Sequence, residues 1–239
     1  MKLDLMVMTV HPDDAELGAG GTIAKYVAEG KAVGIIDLTR GELGTRGTAD
    51  TRAAEALEAA RVLGVAVREN LGLRDGFFAN EEESQRVIIK AIRKYKPEIV
   101  ITNALDDRHP DHGRASKLVN DALFLSGLRR VETKEDGKDQ EAFRPRLQLQ
   151  LIQDQYIQPD IILDISDYWD LKEASILAYK TQFNSLTEDD GPQTYISSPD
   201  FMEYTKGRAK EFGRNIQVAY AEGFTSRKLL GVQDIFELI

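Results

Sequence analysis

The sequence predicts an α/β fold, a Rossmann-like, mostly parallel β-sheet flanked by helices. Two observations carry that expectation. Apolar runs of strand length alternate with amphipathic stretches of helix length, and Gly, Pro or Asp marks the junctions. The 239 residues, 42% of them hydrophobic, hold enough apolar material for the core of one α/β domain, so residues 1–239 are expected to form a single domain.

Taken in order, "LDLMVMTV" (3–10) is too uniformly apolar for a surface helix and reads as a buried strand. "LGAGGTIAKYVAEG" (17–30) follows as a helix closed by Gly30. "AVGIIDLT" (32–39) is a second strand. The helix "DTRAAEALEAARVLG" (50–64) is expected to be capped by Asp50 and ended by Gly64. Residues 82–96 form a helix stopped by Pro97, which restricts the residue before it. The strand "EIVITNAL" (98–105) and a helix over 113–130 complete a strand–helix series, as parallel pairing requires. Beyond it, 133–146 is a polar loop, 146–152 and 160–166 are strands, and 167–183 is a helix. Turn residues fill 184–200, which reads as a long loop; a helix over 200–222 and an irregular apolar tail follow. Trp169, Tyr179 and Phe183 lie at helical spacing and are expected in the core.

A formal charge of −9 argues against a non-specific grip on nucleic acid or an anionic membrane, so any anionic ligand must be met by local arginines. Cysteine is absent, which removes disulfides, thiolate metal sites and cysteine nucleophiles together. The stretch "MKLDLMVMTVHPDD" fits neither a signal peptide nor a membrane span, and a cytoplasmic protein is expected.

The chain holds three histidines, and all three fall in two copies of His-Pro-Asp, "HPDD" at 11–14 and "HPDH" at 109–112. Each copy follows an apolar strand and precedes a helix, the place where loops of an open parallel sheet line the ligand crevice. Proline suits a first helical turn, because its fixed φ and missing N–H cost nothing there. His11 and Asp14 are then three apart on one turn, as are His109 and His112, and each pair projects from one side. If the two strands are near each other, four polar groups share one pocket. Three nitrogen and oxygen ligands with a fourth position open is the arrangement of catalytic zinc. His11, Asp14 and His112 are the expected ligands, leaving Asp13, His109 and Asp111 beside the metal. A carboxylate next to activated water can act as general base, and a histidine held by a neighbouring carboxylate can carry positive charge or give up a proton. Capping alone would explain one His-Pro-Asp; it explains poorly two copies that use all the histidine of the chain.

With "HPDDAE", "HPDH" about a hundred residues later, "DLTRGELGTRGT" between them and "YAEGF" at 220–224, the chain resembles the zinc-dependent N-acetylglucosaminyl deacetylases of the LmbE/PIG-L type. The "DLTRGELGTRGTADTR" and "DRHPDHGRA" stretches resemble most the branch that deacetylates N-acetylglucosaminyl malate in bacillithiol synthesis. The resemblance implies that His11, Asp14 and His112 bind Zn2+ (Fe2+ being the alternative in the cell) and that Asp13 is the base. It implies that His109, supported by Asp111, assists the tetrahedral intermediate and the departing amine. It also implies a homo-oligomer, often a hexamer. Some relatives place an oxyanion-donating tyrosine where this chain has Asp107, which leaves that role open, with Arg108 a candidate.

Two other chemistries compete for the same residues. A 2-His-1-carboxylate iron oxygenase would use a similar ligand set, but those enzymes commonly place one residue between His and acid on an all-β fold, and here there are two on an α/β pattern. A dinucleotide site would use "GAGG" (18–21) and Asp37, but Ile23 stands at the third glycine position and Gly18 lies too far from the strand; close helix–sheet packing is the better explanation. Arg40, Arg46 and Arg52 crowd the loop after the second strand. A guanidinium fork suits the carboxylates of a malate aglycone, with Arg52 expected first and Arg46 second.

Overall fold

The structure is a computed structural model and describes residues 1–183 and 192–238. Residues 184–191 of the expected 184–200 loop lie outside it. The chain runs β1 (Leu5–Thr9), α1 (Asp14–Ala28), β2 (Val33–Thr39), α2 (Ala49–Leu63), β3 (Val67–Leu73), α3 (Glu82–Tyr95), β4 (Ile99–Thr102) and α4 (Pro110–Ser126). A small hairpin, β5 (Lys134–Glu135) and β6 (Lys138–Asp139), precedes β7 (Leu147–Leu151) and β8 (Ile161–Asp164). A short turn of helix then leads into α5 (Trp169–Leu177), α6 (Lys180–Phe183), α7 (Phe201–Asn215) and β9 (Ala221–Thr225).

Seven strands form one sheet in the order β3-β2-β1-β4-β7-β9-β8. The first five in that order run parallel, whereas β9 is antiparallel to both neighbours. Alternation along β1 divides the core. Met6, Met8 and Val10 pack with Ile88, Ile92, Leu118 and Val119 of α3 and α4, while Leu5 and Val7 pack with Ala19 and Ile23 of α1. The chain leaves β1 toward β2 on one side and returns to β4 on the other, so the carboxyl ends of β1 and β4 flank a topological switch point.

Several boundaries differ from expectation for local reasons. Helix α1 begins at Asp14, on the first histidine motif itself, and α4 begins at Pro110 and ends at Ser126. The cap of α2 is Thr48, not Asp50: the Thr48 hydroxyl accepts from Thr51 N at 3.1 Å, while Asp50 pairs at the surface with Arg40. Strand β3 is hidden in the sequence because Arg68, Glu69 and Asn70 interrupt its apolar residues; it is a half-buried edge strand, and its Arg68 side chain is buried against Asp37 and Glu16. The expected helix over 200–222 stops at Asn215, and the supposed irregular tail opens with β9. The expected helix over 167–183 is broken into pieces, though Trp169, Tyr179 and Phe183 are buried as anticipated.

"GAGG" serves close packing. A Cβ on Gly18 would sit 2.6 Å from Leu151 Cδ1, and one on Gly21 would sit 2.5 Å from Ile165 Cδ1. Asp37 is buried and takes a two-point contact from Arg68 at 2.8 and 2.9 Å, so its carboxylate is committed within the fold.

Candidate active site

The two histidine motifs meet at the switch point. Ring centroids lie 4.8 Å apart for His11 and His109, 5.1 Å for His109 and His112, and 5.8 Å for His11 and His112. Donor atoms of these three imidazoles all fall within 4.8 Å of one another. Asp14 reaches both ends of the group, with Oδ1 3.2 Å from His112 Nε2 and Oδ2 3.6 Å from His11 Nδ1.

Strand ends hold Asp14 in place. Asn103, one residue past β4, accepts from Val10 N at 2.9 Å and donates to Asp14 Oδ2 at 3.0 Å. Gln153, past β7, donates to Asp14 Oδ1 at 2.9 Å, and His11 N donates to Oδ2 at 3.0 Å. Burial would raise the pKa of Asp14, but the charges of His112 and His11 outweigh it and hold the carboxyl well below its usual range.

Each outer imidazole nitrogen meets a carboxylate. His112 Nδ1 lies 2.6 Å from Asp107 Oδ2, and His11 Nε2 lies 3.0 Å from Asp75 Oδ1. Burial alone would lower the pKa of His112; Asp14 and Asp107 instead lift it to about 9. The carboxylates likewise hold His11 protonated, and a cation bound between the loops would take the place of the protons at His112 Nε2 and His11 Nδ1 while the other N–H of each ring stays directed at Asp107 and Asp75. Such carboxylate-backed histidines are the usual outer support of a metal site. The donors close enough to share a divalent cation are those of His11, His109 and His112, with Asp14 set against both His11 and His112, and those of an overlapping group, His11, Asp75 and Asp111.

Asp13 sits beside this cluster with φ 125°, in the backbone region that favours glycine. Arg52 donates from Nη2 to Asp13 Oδ2 at 2.9 Å and to the Pro12 carbonyl. Burial pushes the Asp13 pKa up to about 7, with Asp14 adding to the rise and Arg52 opposing it.

The expected partnership of His109 and Asp111 takes another form. The Asp111 carboxylate accepts from Gly76 N at 2.9 Å, pairs with Arg114 at 2.7 Å and lies 3.8 Å from His11 Nε2. It is the Asp111 backbone N–H that meets His109, donating to Nδ1 at 3.3 Å. Neutral His109 then carries its hydrogen on Nε2, which has no partner among the described residues. Burial and the charges of His11 and His112 lower its pKa.

A cavity of roughly 490 Å³ opens over the cluster. Of the arginines expected there, Arg52 engages Asp13 and Pro12 through Nη2, and Arg46 donates to the carbonyls of Thr181 and Pro192. Arg108 is half exposed, its Nε bonded to Asp154 at 2.6 Å and its guanidinium 4.8 Å above the Tyr195 ring. Asp107 is no oxyanion donor; its carboxylate accepts from Arg108 N and Gln155 N and holds His112.

The sequence reading missed Asp75, Asn103 and Gln153. The signal available for the last two was their position just after strands bordering the switch point.

Comparison with known proteins places this geometry among relatives. A profile of the PIG-L family, described as GlcNAc-PI de-N-acetylase, matches residues 6–123. The chain is 30% identical over 186 residues to the diacetylchitobiose deacetylase of Thermococcus kodakarensis, covering 72% of this chain and 67% of that protein. It is 28% identical over 187 residues to the 4-oxalmesaconate hydratase of Pseudomonas putida, covering 72% and 70%. It also superposes on the crystal structure of a conserved protein of Thermus thermophilus with a TM-score of 0.85 and 37% identity, covering 96% of this chain and 97% of that one.

Proposed function

Because the chain belongs to the PIG-L family of GlcNAc-PI de-N-acetylases, we propose that it hydrolyses the N-acetyl group of an N-acetylglucosaminide, with N-acetylglucosaminyl malate of bacillithiol synthesis preferred. We read residues 1–239 as one such domain, cytoplasmic and homo-oligomeric, with a hexamer as the expected form. Among the described residues no helix is long and apolar enough to cross a membrane.

The observation that supports the reaction is one cluster in which Asp14 touches His11 and His112 while Asp13 stands beside it. His11, Asp14 and His112 would hold the divalent cation, zinc in our reading or iron in the cell, which when bound would polarise the acetyl carbonyl and acidify water. Asp13 takes the proton of the attacking water, its carboxylate steered by Arg52 and its pKa of about 7 suited to a base near neutrality. His109 Nε2–H, unengaged in the cavity, donates a hydrogen bond to the oxygen that gains charge and steadies the departing amine, to which Asp13 passes the proton it took from water.

The similarity to a hydratase supports a second reading, addition of water to an unsaturated acid. Both are tested by assaying a panel of N-acetylglucosaminides with different aglycones for free amine, with and without chelator, alongside hydration of 4-oxalmesaconate. We expect amine release, abolished by chelation and favouring the malate conjugate at least about tenfold, a step worth about 1.4 kcal/mol. An equal response across aglycones removes the malate assignment; hydration without amine release replaces the reaction.

A further inference from the structure

Helix α7 lays one stripe along the cavity: Phe201, Tyr204, Thr205, Arg208, Ala209 and Phe212 all line it, at the i, i+3, i+4, i+7 spacing of a helix face. Arg208 is the charged residue of that stripe. Its surroundings differ from those of three other cations in the cavity wall. Arg52 faces Asp13, Lys172 faces Glu222 and Arg108 faces the Asp154 carboxylate. Arg208 donates from Nη2 to the Asp154 carbonyl at 2.7 Å and meets no carboxylate within salt-bridge distance among the described residues.

A guanidinium has five N–H donors, and this contact uses one. Arg108 spends its Nε on Asp154, which leaves its terminal nitrogens. Asp154 thus holds one guanidinium by its carboxylate and the other by its backbone carbonyl, which leaves one positive charge over in a chain whose formal charge is −9. The place is tied to the reacting centre through the backbone, since Gln153 holds Asp14 and the next residue, Asp154, holds both arginines.

We infer that Arg208 is the specificity-determining residue that binds a carboxylate on the substrate's aglycone, with Arg108 supplying a second point of contact. This rests on the deacetylase reading and names the residue that reads the aglycone within it. Arg52, first choice from the sequence, positions the base. The ligand class is a small acid, mono- or dicarboxylate, joined to the amino sugar.

The test uses the full chain, loaded with zinc, and two substrates sharing one N-acetylated sugar, one with a malate aglycone and one with a methyl aglycone. The quantity read is the ratio of kcat/KM between them, together with the inhibition constant of free malate. Arg208→Gln should lower the ratio about tenfold to a hundredfold and weaken inhibition by malate to match, the size of a lost hydrogen bond to a charged partner. A Gln variant that keeps both the wild-type ratio and the wild-type inhibition constant overturns the inference. If that variant fails to fold, Arg208→Lys decides. It keeps the charge but loses the planar fork, and should lower the ratio several-fold; an unchanged ratio is again fatal. A wild-type enzyme indifferent to the two aglycones would instead sink the anionic-substrate reading on which the inference stands.

Discussion

Asp13 occupies a backbone conformation that ordinary residues avoid, is buried, and faces an arginine that opposes only part of the burial effect. Holding a non-glycine residue there costs on the order of 1–3 kcal/mol, a strain the packing around α1 must offset. Its pKa of about 7 means that the basic form accumulates above that pH, so kcat/KM should fall as pH drops through the same range. A bound cation favours the carboxylate and moves the limb toward lower pH. Asp13→Asn keeps the shape and removes the proton acceptor. We expect it to lose about 10²- to 10⁴-fold in kcat, with zinc still bound in calorimetry; full turnover in that variant would dismiss Asp13 as the base. At this scale the sequence was most legible where chemistry is concentrated in a motif. His11, Asp13, Asp14, His109 and His112 announce themselves because two copies use all the histidine. Asp75, Asn103 and Gln153 are single polar residues in unrelated segments, and only folding reveals that they converge on His11 and Asp14. Arg52 was legible as a residue of the site, but its role depends on a partner 39 positions away.

Elements were legible in proportion to how uniformly apolar their residues are. The apolar runs of β1, β2 and β4 are buried almost throughout and stand out in the sequence. Strand β9 concealed itself because "AEGFT" carries Glu222 in a strand that is buried along its whole length. The reason it can do so lies in α1. That helix breaks at Ala19 (φ −142°, ψ 15°), which frees the N–H groups of Gly21 and Thr22. Glu222 accepts both, at 3.0 and 2.8 Å, together with the Thr22 hydroxyl and the Lys172 ammonium, whose Nζ also donates to Leu17 O. The carboxylate thus caps the second half of α1 from another strand, as a residue at a helix start would. Glu222→Ala leaves a buried ammonium and two backbone donors without their partner. It should destabilise the fold by about 3–5 kcal/mol in denaturant unfolding, and Glu222→Gln, which keeps acceptors for the N–H groups, should lose less. A cost below about 1 kcal/mol, the level of a surface pair, would show that water replaces the carboxylate.

The strand order places the loops after β1 and β4 side by side although 98 positions separate His11 from His109, because the connections depart from β1 in opposite directions. Sequence alone could suggest that both strands end at ligand loops; it could not order the sheet, since neither β3 nor β9 was visible. One physical consequence belongs to the molecule as a whole. A cation held jointly by His11, Asp14 and His112 binds the folded chain and not the unfolded one, so loading must raise stability by mass action. At a free metal concentration a hundredfold above Kd the gain is about 2.7 kcal/mol, which for a chain of this length raises Tm by roughly 5 to 10 °C. Differential scanning calorimetry of the chelated and zinc-loaded protein measures it. His112→Ala removes a ligand from one loop while leaving the other loop complete, and its melting temperature should scarcely respond to zinc at the same concentration. A variant that gains as many degrees as the wild type would mean that the cation is held elsewhere, and the two loops would then be neighbours without a shared ligand.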